Sequence, residues 1–159
     1  MSRRRRLWLL PASLLLALLL GVLPLPLAAQ PLRPFWLALV LAYWVLEEPE
    51  HAGLGLAFVA GVIADLAFGT VLGEHALRLV IFTFILQRFR HQLRFYPLWQ
   101  QALALCALLL NDRVIVTALR VVLGQPQWPV QHWLAPLWAL LLWMPLFILL
   151  DAVRLERRG

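Results

Sequence analysis

A long apolar run with a single ionisable side chain in its interior is the feature that most constrains this sequence. The run covers residues 53–73, and Asp65 is its only acidic or basic residue. Gly61, Asp65, Gly69 and Gly73 recur at every fourth position, and residues four apart lie nearly above one another on a helix. Rows of small residues let helices approach closely in lipid, where a carboxylate costs about 2.5–3.5 kcal/mol on insertion scales. The pattern therefore predicts a packed helix inside a membrane protein, with Asp65 facing protein or water.

The composition favours a lipid environment for most of the chain. Of the 159 residues, 63% are hydrophobic and 14% are charged, and the mean hydropathy is +0.82. A soluble domain is about 45–50% apolar and about 25% charged. Because a spanning helix needs about 20 apolar residues, the length accommodates about five or six spans and leaves no room for a separate soluble domain.

Six apolar segments predict six membrane-spanning helices in one transmembrane domain that covers residues 1–159. The predicted spans are residues 7–29, 35–48, 53–73, 76–88, 98–123 and 133–150. The second and fourth are short for a full crossing. The apolar stretch after the N-terminal arginines is longer than the core of a signal peptide, which has about 7–15 residues. We therefore expect an uncleaved first span.

The distribution of arginines predicts the orientation of the chain. All 14 basic residues are arginines. With a cytoplasmic N-terminus, six spans return the C-terminus to the cytoplasm, and ten arginines flank that side against Arg33, Arg78 and Arg120 on the other. Because these arginines lie at segment ends, as topology signals do, we expect no nucleic-acid binding despite an isoelectric point near 11.2.

A second group of polar residues interrupts the fifth predicted span. Asn111, Asp112 and Arg113 are adjacent, and Arg120 follows on the same helical face. Polar groups in lipid must be satisfied, and two interpretations stay open: a break in the helix that lines a pocket, or a self-neutralising Asp112–Arg113 pair packed against Asp65. Asp65 is either a proton or ligand site or a structural carboxylate. Its expected cationic partners are Arg113 and Arg120.

The sequence contains no recognisable catalytic or metal-binding pattern. There is no Gly-x-Ser-x-Gly, phosphate loop, His-Glu-x-x-His or cysteine pair. Residues 47–51 contain three glutamates and His51, but Pro49 breaks any helical face, so a solvated loop is expected there. The only cysteine, Cys106, is expected to be a small buried apolar residue. We therefore expect no enzymatic activity, metal or cofactor.

Three motifs together resemble the MreD family of rod shape-determining proteins from Gram-negative bacteria. They are, in order, the basic N-terminus, the motif RPFW at residues 33–36 followed by YWxLxxP at residues 43–49, and the row Gly61, Asp65, Gly69 and Gly73 followed by HAL at residues 75–77. The resemblance covers nearly the whole chain and rests on the order and spacing of these motifs.

This resemblance implies an inner-membrane protein of five or six spans, with a fold similar to the vitamin-binding subunits of energy-coupling-factor transporters. It also implies MreC as the direct partner, in an elongation complex with MreB, RodA and a class B penicillin-binding protein. We interpret the chain as an all-α polytopic membrane scaffold that binds MreC by helix packing, with Gly61, Asp65, Gly69 and Gly73 at the contact. A vitamin-binding transporter subunit is the alternative, although the first span lacks the Ala-x-x-x-Ala docking row typical of such subunits.

Overall fold

A computed structural model describes residues 2–24, 26–28, 33–127 and 129–156, which form a bundle of helices. In these ranges six α-helices follow one another, and a 3-10 helix precedes the last. They are α1 (Ser2–Val22), α2 (Trp36–Glu47), α3 (Leu54–Phe68), α4 (Glu74–Phe95), α5 (Leu98–Val122), the 3-10 helix (Val130–Leu137) and α6 (Trp138–Glu156). No strand occurs within the described ranges, and the predicted all-α fold class is confirmed.

The second helix is the centre of the bundle because it is apolar on every side. Residues 37–46 of α2 are all buried, and α1, α4 and α6 pack around them. The two polar side-chain atoms of this stretch both have partners: Tyr43 Oη donates to Asp151 Oδ1 at 3.1 Å, and Trp44 Nε1 donates to Ser13 Oγ at 2.7 Å. The helix has 12 residues, or about 18 Å. Because the other helices surround α2, it is not exposed to lipid, and its length need not match the thickness of the bilayer.

The third and fourth helices pack with their backbones in contact. A Cβ added at Gly61 of α3 would lie 2.5 Å from the backbone nitrogen of Ala76 and 2.8 Å from the carbonyl carbon of His75. Only glycine fits such an approach, so Gly61 sets the distance between α3 and α4. The close approach at Gly61 is therefore made to another helix of the same chain.

Four predicted spans end at different places from the helices. The first was predicted to reach residue 29 and the sixth to end at residue 150, whereas α1 ends at Val22 and α6 ends at Glu156. The third was predicted to reach residue 73, but α3 ends at Phe68 because Gly69 adopts a φ of 67° and donates its N–H to the carbonyl of Asp65. The fourth was predicted to end at residue 88, but α4 continues to Phe95 and includes the basic residues 88–94.

Among the described residues, two helical segments are long and apolar enough to cross a membrane by length and composition. They are Leu98–Val122, with 25 residues, and Val130–Glu156, with 27 residues. Shorter apolar helices occur at Leu7–Val22, Trp36–Glu47 and Leu54–Phe68. The crossing of the bilayer by all six predicted segments stays a prediction.

Replacement of Gly61 by alanine should destabilise the bundle by about 1–3 kcal/mol, because the new methyl group forces α3 away from α4. Gly55 provides a matched control in the same helix, since no atom lies within 4 Å of a Cβ added there. Alanine at position 55 should be neutral or stabilising, because alanine favours a helix over glycine by up to about 1 kcal/mol. Thermal unfolding of both variants in detergent measures the difference. Equal stability of Gly61→Ala and wild type would contradict the backbone contact.

Candidate functional site

The carboxylate of Asp65 joins the end of α3 to the start of α4. It is 1% exposed. Its Oδ1 accepts hydrogen bonds from the backbone N–H of His75 and the hydroxyl of Thr70, each at 2.8 Å, and lies 2.9 Å from His75 Nδ1. Its Oδ2 accepts the backbone N–H of Gly73 at 2.8 Å. Asp65 therefore caps the N-terminus of α4 from the preceding helix, where backbone N–H groups need acceptors and negative charge is favoured.

This arrangement corrects the expectation that Arg113 or Arg120 of the fifth span pairs with Asp65. The donors to Asp65 instead come from residues 70–75. The physical reason is the early end of α3, which lets the chain fold back over the carboxylate within ten residues.

The row of small residues is also not a single helical face. Gly61 packs against α4, but Gly69 and Gly73 lie in the turn between α3 and α4, with φ values of 67° and 99°. No atom lies within 4 Å of a Cβ added at either turn glycine, so backbone conformation rather than close packing requires glycine there. The role of these residues in partner binding stays a prediction.

A buried ion pair links α4 to α5. Arg78 Nε donates to Asp112 Oδ1 at 2.8 Å, and Arg78 Nη2 donates to Asp112 Oδ2 at 2.7 Å. Both side chains are buried, and the guanidinium of Arg78 also stacks over the ring of Phe35, with 4.8 Å between its central carbon and the ring centroid. The predicted pairing of Asp112 with its neighbour Arg113 is wrong, because Asp112 is held by Arg78 in this two-bond geometry.

Arg78 was missed as a site residue, although the sequence carries a signal for it. Helices α4 and α5 are joined by the short turn at Tyr96 and Pro97, which makes them antiparallel neighbours. Arg78 and Asp112 each lie about four to five helical turns from that connection. Opposite charges at the same depth in two adjacent helices are expected to pair.

The remaining members of the predicted polar cluster lie in different environments and have different partners. Asn111 is exposed, whereas Arg113 is buried and its Nη1 contacts the imidazole of His132. A guanidinium only donates hydrogen bonds, so the facing ring nitrogen acts as an acceptor. Arg120 Nη1 donates to the carbonyl of Pro126 at 2.9 Å. Helix α5 runs without interruption through these positions, so the predicted break in the span is absent.

A pocket of about 320 Å³ lies at the end of the bundle where these residues meet. Its walls come from the second half of α1, residues 33–37, the turn between α3 and α4, the second half of α5 and His132. Four arginines line it: Arg33, Arg78, Arg113 and Arg120. The pocket has the size of a small-molecule site, and its polar wall is dominated by guanidinium groups.

The opposite end of the bundle carries a separate ion-pair cluster around Arg154. Its Nη2 donates to Glu47 at 3.0 Å and to Asp151 at 2.8 Å, and its Nη1 lies 3.6 Å from Glu48. These contacts tie α6 to the end of α2. The predicted solvated loop at residues 47–51 therefore supplies two carboxylates to an ion-pair network that the sequence did not indicate.

Comparison with known proteins gives one consistent result. A family profile described as rod shape-determining protein MreD matches residues 2–153. The protein named rod shape-determining protein MreD from Haemophilus influenzae is 34% identical over 142 residues, which cover 87% of this chain and 86% of that protein. No solved structure matches the chain.

The ion pair between Arg78 and Asp112 should show strong energetic coupling. Arg78→Leu or Asp112→Leu alone should destabilise the protein by about 3–5 kcal/mol, because each leaves a buried charge without its partner. The double variant should cost much less than the sum, since neither Arg78 nor Asp112 is then left buried without the other. Thermal unfolding of the three variants in detergent gives the coupling energy. Additive losses would show that the two side chains do not interact.

Proposed function

The chain belongs to the MreD family of rod shape-determining proteins, and from its role in rod-shape determination we propose that it acts as a membrane scaffold rather than as an enzyme. In this proposal its direct partner is MreC, within an elongation complex that includes MreB, RodA and a class B penicillin-binding protein. The observation that carries the proposal is a rigidly held helix, α3, whose outer face is apolar and uncovered within the chain.

Helix α3 is the element best suited to receive a partner helix. It packs mainly along α4, with a smaller contact to α1, so it lies at the edge of the bundle. Four large apolar side chains on its other face are between 48% and 73% exposed: Phe58, Val59, Ile63 and Leu66. On the same helix, Gly55 is exposed with no atom within 4 Å of an added Cβ. A small residue on an apolar face favours close approach of a second helix in lipid.

Gly61 and Asp65 support this surface without forming it. Both are buried against α4, through backbone contact at Gly61 and through the hydrogen bonds of Asp65. We therefore propose that Gly61 and Asp65 do not contact MreC directly and instead position α3. They hold α3 at a fixed distance and register on α4, and the opposite face is presented to the anchor helix of MreC.

The proposed location is the bacterial inner membrane, with several spans and both termini in the cytoplasm. The arginine distribution supports this orientation. It places the Arg154 cluster at the cytoplasmic end of the bundle and the arginine-lined pocket at the periplasmic end, since the pocket lies beside the ends of α1 and α3 and the starts of α2 and α4.

One observation favours the alternative of a vitamin-binding subunit like those of energy-coupling-factor transporters. The pocket of about 320 Å³ at one end of a six-helix bundle is large enough for a small molecule. Mass spectrometry of the purified protein distinguishes the two functions, because a vitamin retained in stoichiometric amount supports the transporter subunit and co-purified MreC supports the scaffold.

A photo-crosslinking residue at Ile63 should form a covalent adduct with MreC when the two proteins are produced together in membranes. The control is the same residue at Leu141, which is 69% exposed and lies on α6, a helix that packs against α5 and α2, whereas α3 packs against α4 and α1. The adduct should form from position 63 and not from position 141, because a partner helix docked on α3 lies within reach of the Ile63 position. MreC adducts from Leu141 but not from Ile63 would assign the docking surface to another helix.

Asp65→Leu should reduce recovery of MreC with the tagged protein while leaving insertion into the membrane intact. The substitution removes the acceptor for the N–H groups of Gly73 and His75, so the turn loosens and α3 loses its fixed position. Asp65→Asn retains one acceptor oxygen and should give an intermediate recovery. Wild-type recovery of MreC by membrane-inserted Asp65→Leu would refute the positioning role of Asp65.

A further inference from the structure

We propose that the arginine-lined pocket binds a phosphate group, carried by a membrane lipid or free in solution. This inference does not depend on the scaffold function or on MreC. It rests on the positions of Arg33, Arg113 and Arg120, on the Nε donors of Arg33 and Arg113, which no described residue accepts, and on the apolar surface beside them.

The acidic groups near the pocket already have donors of their own. Asp65 accepts hydrogen bonds from the turn before α4, and Asp112 is held by both arms of Arg78. Glu74 is the one carboxylate among the described residues that line the pocket, and it lies 3.8 Å from Arg78. Both Glu74 and Asp112 therefore form their ion pairs with Arg78.

Arg113 supplies the least satisfied donors. Its side chain is 6% exposed and lines the pocket, and its Nε has no hydrogen-bond partner in the described part of the chain. Its Nη1 faces a histidine rather than a carboxylate. A buried cation with unsatisfied N–H groups is costly unless an acceptor is present, and an oxyanion in the adjoining cavity supplies one.

Arg33 approaches the same cavity from another element. Its two terminal nitrogens donate to the carbonyls of Gly21 and Leu23, and its Nε is buried without a partner in the described ranges. Arg120 reaches the cavity from the end of α5. Guanidinium groups from separate elements suit a tetrahedral phosphate better than a planar carboxylate, because phosphate accepts hydrogen bonds in several directions.

The rest of the pocket wall suits an apolar substituent. Phe35, Trp36, Leu37 and Phe68 line the cavity together with Val116. A ligand with a phosphate head and an apolar part matches both walls, and a phospholipid is the obvious membrane source of that combination. Inorganic phosphate has the phosphate group but no apolar part, so it would contact only the arginine side of the pocket.

The test uses the full-length protein, purified in a neutral detergent without phosphate. Three probes are added separately: inorganic phosphate, phosphatidic acid, and diacylglycerol with the same acyl chains as the phosphatidic acid. Thermal unfolding and native mass spectrometry report binding. Phosphatidic acid should raise the unfolding temperature and remain bound, whereas diacylglycerol should do neither. Stabilisation by inorganic phosphate alone would support the phosphate site and assign its ligand to solution.

Arg113→Gln should weaken binding of the effective probe by about tenfold, the loss expected for one charge-assisted hydrogen bond. Arg94→Gln is the matched control, since Arg94 is exposed at the other end of α4 and lies outside the pocket. If Arg113→Gln fails to fold, Arg120→Gln at the pocket edge replaces it. The proposal is overturned if neither phosphate probe binds, or if the pocket variant and Arg94→Gln bind as wild type does.

Discussion

The hydrogen bonds of the Asp65 carboxylate are the constraint on which the pocket end of the bundle depends. They hold residues 70–75 in place, and this turn fixes where α4 begins. The start of α4 in turn sets the depth of Arg78, one helical turn further on, and therefore its pairing with Asp112 of α5. A single buried acceptor thus positions two helices relative to α3. The cap is well suited to an apolar bundle, because unpaired N–H groups at a helix terminus are most costly where water is excluded.

Buried charge is confined to the two ends of the bundle, and the centre is left to apolar packing. Residues 37–46 of α2 contribute only apolar and aromatic side chains to that centre. At one end Arg154 meets Glu47 and Asp151, and at the other Arg78 meets Asp112. One cluster joins α6 to α2 and the other joins α4 to α5, so the charges fix the arrangement of helices as well as interacting with one another. The short α2 contacts protein at both ends, because Glu47 at its end pairs with Arg154 and Phe35 before its start lies under Arg78.

The sequence predicted the helical class and the special position of Asp65, but it did not predict the partners of Asp65. Hydrophobicity and glycine spacing are local properties, and they located the apolar segments well. The four-residue spacing of Gly61, Asp65, Gly69 and Gly73 suggested one continuous face, whereas the left-handed conformation of Gly69 ends the helix after Phe68. A period of four does not distinguish a packing stripe from a helix end followed by a turn. The Arg78–Asp112 pair was missed for a different reason, since it depends on how α4 and α5 align across their connection.

The two ends of the bundle differ in a way that bears on function. At the Arg154 end three carboxylates surround one guanidinium, so the positive charge there is already neutralised. At the pocket end Arg33 and Arg113 retain unused donors beside an open cavity. The wall of that cavity includes Thr70 and His75, whose side chains contact the Asp65 carboxylate after the end of α3. An anion in the pocket and a partner helix on the outer face of α3 would therefore both act on one turn. Under the two proposals, this shared turn would connect the ligand site to the docking surface, without any change in the distant Arg154 cluster.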